Sequence, residues 1–263
     1  MSFLYVPIRR SIYLSLGYIS NLLKLRKQKI IILCYHSIGD DGWDFSITKE
    51  EFKKQMLLLS EDRKFITLSE LDNYLKGRIV IEKPSVAITF DDGYKNIMQV
   101  ADFLESRNIM PTVFLLANPA EANRDELGNS NQFLSKTDIK TLISKGWEIG
   151  CHTQTHSDVY KLLPKQLYEE IFVAKKTLEK SLARSVKYIA YPKGRYTPES
   201  LKYVEEAKYK LGLSMDDGEI TSNISSLTIP RIGIDGTHSL AEFKLIASPL
   251  NVLMRKFLRS RLT

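Results

Sequence analysis

The sequence predicts an α/β fold in which parallel strands alternate with helices. Short apolar runs recur along the chain, and amphipathic segments with helical spacing separate most of them. This alternation is typical of βαβ units, which assemble into an open doubly wound sheet or into a barrel. A chain of 263 residues is long enough for one substantial core of this kind.

Apolar runs and end signals place the elements of the first half. The run KIIILCY predicts a buried strand, and Thr48 is a helix cap followed by a helix with Phe52 and Met56 on one face. The run VAITF predicts a strand that stops at Asp91 and Asp92. Strands are therefore expected at 29–35, 65–68, 86–90 and 112–117, and helices at 49–59, 69–77 and 95–107.

The second half continues the alternation after a polar stretch, 118–136, that predicts a long surface loop. Gly146 ends one helix, and the run WEIGC behind it predicts a strand ending at His152. A long amphipathic pattern predicts a helix over 165–182. Further strands are expected at 147–151, 186–190, 211–214 and 229–234, and further helices at 137–144 and 199–208.

The charge is concentrated at the two ends of the chain. Residues 1–29 carry six basic residues, residues 243–263 carry five, and neither segment contains an acidic residue. The two ends therefore have a combined net charge of +11, and residues 30–242 have a net charge of −4. A nucleic-acid enzyme would carry its basic stripe on the catalytic body, so we expect no nucleic-acid partner. Basic tails interleaved with apolar residues favour peripheral contact with an anionic membrane, and the alternative is that both tails pack on the body as solvated helices.

The location of the protein is predicted from the same segments. No stretch reaches the roughly 18 consecutive apolar residues of a membrane span. Arg9 and Arg10 precede an apolar stretch as in a signal peptide, but no small-x-small cleavage site follows. We expect a cytoplasmic protein, with peripheral contact at the inner membrane face as a second reading, and export stays open.

Histidines and aspartates follow several predicted strands. His36, Asp91 with Asp92, His152 and the segment 191–194 each stand at the carboxyl end of a strand. In (β/α) barrels this rim is where active sites are built. We therefore expect these distant residues to converge.

Asp92, His152 and His156 predict a metal site. One carboxylate and two imidazoles suit Zn²⁺, or another divalent transition metal, and leave positions open for water and substrate. The His-x-x-x-His spacing brings both imidazoles to one side if the segment turns like a helix. A surface histidine pair is the alternative for these two residues, and an Asx turn is the alternative for Asp91-Asp92-Gly93. If Asp92 binds the cation, Asp91 is left as a general base.

Two segments carry a resemblance to a known family. TFDDGY at 89–94 and GCHTQTH at 150–156 resemble the first two motifs of the NodB-homology polysaccharide deacetylases. The likeness covers residues 30–245, between a basic amphipathic segment (1–29) and a basic tail (246–263). It implies a distorted (β/α)₇ barrel, bound zinc and hydrolysis of an N-acetyl group on a hexosamine, with Asp91 as the base and Asp92, His152 and His156 as ligands.

The chain departs from the family pattern at two points. The third motif is AYPKG at 190–194, without the arginine that orients the base; Arg231 is the candidate replacement, and the Lys193 backbone N–H is the candidate oxyanion donor. LCYHSI at 33–38 resembles a permuted branch that includes biofilm poly-N-acetylglucosamine deacetylases, in which an early histidine is the general acid. We therefore assign the acid to His36, with His238 as the rival.

Two cysteines and three aromatic residues have less specific readings. Two cysteines are too few for a disulfide framework. We expect Cys34 and Cys151 to be packing residues that point away from the site histidines. Tyr94, Tyr191 and Trp147 could form a sugar platform or belong to the core.

The predicted function is metal-dependent deacetylation of an N-acetylhexosamine in a polysaccharide or lipid-linked glycan. The alternatives are removal of a formyl group, hydrolysis of an O-acetyl ester on a sugar, and an inactive carbohydrate-binding barrel. The presence of five candidate residues together argues against an inactive barrel, namely His36, Asp91, Asp92, His152 and His156.

Overall fold

The computed structural model describes residues 2–25, 29–122, 127, 132–218 and 220–259. Within these ranges, eight parallel strands form one sheet in the order β10-β1-β5-β6-β7-β8-β9, with β4 beside the start of β5. The strands are β1 (Ile30–Tyr35), β2 (Ser37–Ile38), β3 (Ser46–Ile47), β4 (Lys64–Phe65), β5 (Ser85–Phe90), β6 (Thr112–Leu115), β7 (Glu148–Cys151), β8 (Tyr188–Ala190), β9 (Leu211–Leu213) and β10 (Ile232–Gly233). The short strands β2 and β3, which the sequence did not predict, pair apart from this sheet.

Helices connect the strands on the outside of the sheet. Two predicted helices differ in form: the segment expected at 95–107 is a 3₁₀ turn (Lys95–Val100) followed by a short helix, and the one expected at 165–182 contains a π-helical turn (Glu169–Val173). The predicted loop at 118–136 lies partly outside the described residues. The helices are α1 (Ser2–Leu22), α2 (Lys49–Asp62), α3 (Leu68–Leu75), α4 (Ala101–Ser106), α5 (Lys136–Ser144), α6 (Pro164–Tyr168), α7 (Ala174–Leu182), α8 (Pro198–Glu206), α9 (Leu240–Leu245) and α10 (Pro249–Arg259).

The sheet curls into a barrel that one segment closes. Ile229 bridges to Leu213 at the end of β9, and three residues later Ile232 pairs with Leu33 of β1. The segment 229–233 therefore connects the two edges of the sheet. The predicted distorted (β/α)₇ barrel is confirmed.

Side-chain alternation along the strands separates two cores. Residues of β1 at even positions, such as Ile30 and Ile32, cluster with Phe114 and Leu211 on the inside of the barrel. Residues at odd positions of β1 join the larger core under the helices. Both faces of each strand are buried, as expected of parallel strands covered by helices, so β1 and β5 are buried along their whole length. The inner face is the one that continues into the functional site.

The N-terminal helix α1 packs against both α10 and α9. Gly17 of α1 has no room for a side chain, because a Cβ there would lie 2.6 Å from Leu245 of α9. The Asn251 side-chain amide of α10 donates to the Tyr13 backbone carbonyl of α1 at 3.0 Å. Among the described residues, no helix is long and apolar enough to cross a membrane.

Candidate functional site

The register of the strands brings the predicted site residues to one rim. Tyr35 of β1 pairs with Phe90 of β5, so His36 and Asp91 follow at the same level. Leu115 of β6 pairs with Cys151 of β7, which places His152 at the same edge. These residues line a cavity of 1090 Å³. Its lining includes Cys34, His36, Trp43, Phe45, Asp91, Asp92, His152, His156, Lys193, Tyr196, Met215, Asp217 and Lys256.

Asp92, His152 and His156 form a buried group of metal-ligand type. The Asp92 Oδ1 atom lies 3.4 Å from Nε2 of both histidines. That oxygen is buried and has no hydrogen-bond partner in the described part of the chain. Burial and the adjacent Asp91 carboxylate raise the pKa of Asp92 well above its usual range, so a cation is what would keep this carboxylate ionised. The three side chains therefore fit a divalent metal ion.

A hydrogen bond fixes the orientation of the His152 ring. Its Nδ1 lies 2.8 Å from the Ala190 carbonyl oxygen, an acceptor, so Nδ1 carries the proton and the Nε2 lone pair faces Asp92. Burial lowers the pKa of His152 to about 3, which keeps the imidazole neutral. A metal-ligating histidine is commonly held by this kind of second bond.

The segment between the two histidines is a turn and not a helix, which corrects the predicted geometry. Residues 153–155 form turns, and both Thr153 and His156 have positive φ, at 67° and 65°. Residues other than glycine rarely adopt positive φ, so contacts with surrounding residues must hold the turn in this conformation. The convergence of the two imidazoles therefore depends on tertiary contacts and not on helical spacing.

Glu170 holds this turn, and no pattern in the sequence had pointed to it. Its carboxylate accepts hydrogen bonds from the Gln154 backbone N–H at 2.9 Å and the Thr155 backbone N–H at 3.0 Å, and from the Thr155 hydroxyl at 2.6 Å. Glu170 lies in the π-helical turn between α6 and α7. Such turns inside α-helices are frequent near functional sites, since they re-aim one side chain.

Arg231, the candidate replacement for the missing motif arginine, contacts Asp91. Its Nη1 and Nη2 atoms donate to the two carboxylate oxygens of Asp91, each at 2.7 Å, and its Nε donates to the Ser214 carbonyl. Burial alone would raise the pKa of Asp91, but the Arg231 guanidinium outweighs burial and lowers it well below its usual range. Asp91 is therefore ionised and fixed in orientation.

His36 faces this carboxylate, whereas His238 lies elsewhere. Ring nitrogen, sulfur and oxygen atoms of His36, Cys34 and Asp91 lie within 4.8 Å of one another. Burial lowers the pKa of His36 to about 4, so its imidazole is neutral at pH 7. His238 contacts Asp235 at 3.0 Å, next to the start of α9, and it is not among the residues that line the cavity.

The position of Cys34 contradicts its predicted orientation. It lies on the inner face with His36, and its Sγ atom is 3.3 Å from the Asp91 Oδ2 atom. Alternation with a period of two places residues 34 and 36 on the same side of the strand, so the expectation that Cys34 points away from His36 was wrong. Cys151 is buried in the core, as expected.

The aromatic residues at the cavity differ from those proposed. Tyr94, Tyr191 and Trp147 are buried, and Trp147 stacks on Phe90 in the core. Trp43 and Phe45, from the loop after β2, instead line the cavity beside His36.

Lys193 lies in the short turn after β8 and lines the same cavity. It has a positive φ of 59°, and it stands between Pro192, which has no N–H, and Gly194. Its role as a source of an oxyanion donor stays a prediction.

Comparison with known proteins gives consistent matches. The sequence model of the family described as polysaccharide deacetylase matches residues 80–212. The Bacillus subtilis protein YxkH is 29% identical over 210 residues, which cover 78% of this chain and 71% of that protein. The poly-beta-1,6-N-acetyl-D-glucosamine N-deacetylase of Staphylococcus aureus is 28% identical over 226 residues, covering 81% and 76%.

Solved structures share the fold. The Streptococcus pyogenes deacetylase PplD, determined in complex with acetate, superposes with a TM-score of 0.72 at 25% identity and covers 85% of this chain and 99% of that one. IcaB from Ammonifex degensii superposes with a TM-score of 0.73 at 22% identity, covering 86% and 98%.

Proposed function

Because the chain belongs to the polysaccharide deacetylase family, we propose that it is a metal-dependent enzyme that removes the N-acetyl group from an N-acetylhexosamine in a glycan. The observation that carries this proposal is the arrangement of one cavity. It contains the ligand group Asp92, His152 and His156 and, beside it, Asp91 fixed by the buried Arg231. The Staphylococcus aureus relative, a poly-beta-1,6-N-acetyl-D-glucosamine N-deacetylase, supports an amino-sugar substrate.

Asp92, His152 and His156 would hold the metal ion, and the donor set favours zinc. When bound, a divalent cation supplies Lewis acidity that polarises an acyl oxygen and lowers the pKa of a water molecule. The other chemistry belongs to the side chains of the cavity.

Asp91 is proposed as the general base. Its lowered pKa keeps it ionised at neutral pH, and the two hydrogen bonds from Arg231 direct its carboxylate. A carboxylate of such low pKa can accept a proton readily only from a water molecule whose own pKa is lowered, and a neighbouring cation would lower it. The Lys193 backbone N–H is proposed to stabilise the oxyanion of the tetrahedral intermediate.

His36 is proposed to deliver a proton to the departing sugar nitrogen. Since its imidazole is neutral at pH 7, it must first receive a proton, and Asp91 lies within the 4.8 Å cluster to pass one on. The C–N bond breaks, the acyl carbon keeps the water oxygen, and the products are acetate and a free amine.

The glycan is proposed to reach the site along the wall formed by Trp43 and Phe45, since aromatic faces suit the apolar faces of sugar rings. We place the activity in the cytoplasm, at the inner membrane face, as the charged ends of the chain predict.

The test is acyl release from a panel of soluble substrates by the metal-loaded protein. N-acetylglucosamine oligomers should yield acetate and amine in equal amounts, and the Asp91→Asn variant should be inactive on the same panel. Release of formate from N-formyl sugars, or of acetate from O-acetyl esters only, would replace the proposed bond with one of the alternatives. Glycan binding without any product would indicate an inactive barrel and overturn the proposal.

A further inference from the structure

The N-terminal helix has an apolar face that the described part of the chain leaves exposed. In α1, the side that packs on the barrel contains Tyr13, Gly17 and Ser20, of which Tyr13 is 3% and Ser20 2% exposed. The opposite side of the same helix is exposed and mostly apolar, with Ser11 and Ser15 among its apolar residues, and Ile8 is 57% and Leu22 68% exposed. The exposed apolar residues on this side are Ile8, Ile12, Ile19, Leu22 and Leu23.

The C-terminal helix extends this surface. Leu253 and Phe257 stand one turn apart on α10 and are 62% and 53% exposed. Since α10 packs against α1, we call the exposed apolar residues of the two helices together the terminal face. Large exposed apolar surfaces on soluble proteins often mark binding sites.

Positive charge adjoins the terminal face at the end of α1. Neither α1 nor α10 contains an acidic residue. Arg9 and Arg10 are paired with Glu242 of α9 and thus serve the packing of α1. The exposed Lys24 follows α1, in a stretch of seven residues, 23–29, that contains four basic and no acidic ones.

The terminal face adjoins the mouth of the active-site cavity. Lys256 of α10 lines the cavity, and Arg255 donates to the Asp217 carboxylate at 2.7 Å. Asp217 belongs to the loop after β9 that forms part of the cavity wall. Arg255 also contacts Tyr13 of α1 at 3.3 Å, so both terminal helices support this wall.

We propose that the terminal face docks on an anionic lipid bilayer and so presents the cavity mouth to a glycan that is attached to lipid. Apolar side chains backed by lysines are the combination that binds such an interface, through burial among the acyl chains and attraction to anionic headgroups. The substrate-class part of this proposal rests on the proposed deacetylase function. The docking part does not.

Docking is tested by co-sedimentation of the full chain with vesicles. We expect binding to phosphatidylcholine vesicles containing about 30% phosphatidylglycerol, weaker binding at about 0.5 M salt, and little binding to phosphatidylcholine alone. The Ile8→Glu, Leu22→Glu double variant should lower the partition coefficient at least about tenfold. Val80→Glu, Leu163→Glu is the matched control, because these apolar residues lie outside the terminal face and are at least as exposed as Ile8 and Leu22, and it should bind like the parent.

Activity measurements separate this inference from the proposed function. Acetate release from a soluble N-acetylglucosamine oligomer should be equal in the parent and in both double variants. Release from the same oligomer on a lipid anchor in anionic vesicles should fall about tenfold in Ile8→Glu, Leu22→Glu only. A parent that stays in the supernatant while releasing acetate would overturn docking alone, whereas binding without acetate release would overturn the proposed function alone. A dimer that Ile8→Glu, Leu22→Glu dissociates would show that the face binds a second copy, and it would also overturn docking.

Discussion

The pairing of Arg231 with Asp91 makes a quantitative prediction about stability and its pH dependence. Both side chains are buried, at 1% and 3% exposure, and two hydrogen bonds of 2.7 Å join them. In Arg231→Met, Asp91 either stays charged without a partner, at a cost of about 3–5 kcal/mol, or takes up a proton. At pH 7, protonation of a carboxyl with an ordinary pKa near 3.9 costs about 4 kcal/mol. We therefore expect the variant to lose about 4 kcal/mol of unfolding free energy at pH 7.

The sign of the pH dependence follows from the direction of each pKa. In the parent, the folded-state pKa of Asp91 is lowered, so its stabilisation is present above the ordinary carboxyl pKa and is lost only in more acidic solution. In the variant, the folded-state pKa is raised, so stability is lost as the pH increases. Lowering the pH from about 7 to about 5 should reduce the difference in unfolding free energy between the parent and Arg231→Met by about 2.7 kcal/mol.

Urea unfolding of both proteins at the two pH values, with a chelator present, measures this difference. Adding Asp91→Asn to Arg231→Met should recover most of the loss, since no unpaired charge then remains in the core. A difference that is equal at both pH values, or that is below about 1 kcal/mol at pH 7, would show that Asp91 does not depend on Arg231 for its charge.

Two further predictions concern positioning of the metal ligands and proton transfer. Glu170→Ala should weaken metal binding about 10–100-fold, because it loosens the turn that carries the two histidines. Glu169→Ala, at the exposed neighbouring position, should leave metal affinity unchanged. Equal affinities of the two variants in a metal titration would contradict this role of Glu170. His36→Ala should lower kcat about 10²–10⁴-fold with little change in metal content, whereas His238→Ala should leave turnover intact, and the reverse order of effects would place the acid on His238.

The sequence predicted the parts of the site that depend on strand ends. Apolar runs located β1, β5 and β7 to within a residue or so, and parallel pairing then requires His36, Asp91 and His152 to share a rim. The family resemblance added the roles and the barrel. Arg231 could be proposed because it too lies near a strand end, although its bidentate contact needed the closed barrel.

The remaining features depend on contacts that local patterns do not specify. The turn at 153–155 is held by Glu170, a residue that reads as an ordinary charge on an amphipathic helix. The prediction for Cys34 was wrong although the sequence contained the necessary information. Residues 34 and 36 are two apart, so the alternation of side chains along a strand puts them on the same side. The terminal face required the structure, because apolar spacing on α1 does not reveal which side packs on α9.

The most direct test of a metal-dependent deacetylase is a comparison of two adjacent variants, Asp91→Asn and Asp92→Asn. Bound zinc by elemental analysis and acetate release from an N-acetylglucosamine oligomer are measured on the same preparations. The proposed function predicts about one zinc per chain in the parent and in Asp91→Asn, with turnover lowered about 10²–10⁴-fold in the latter, and loss of both zinc and activity in Asp92→Asn. Parent-like zinc content in Asp92→Asn, or near-normal turnover in zinc-loaded Asp91→Asn, would contradict the assignment of ligand and base on which the proposed function depends.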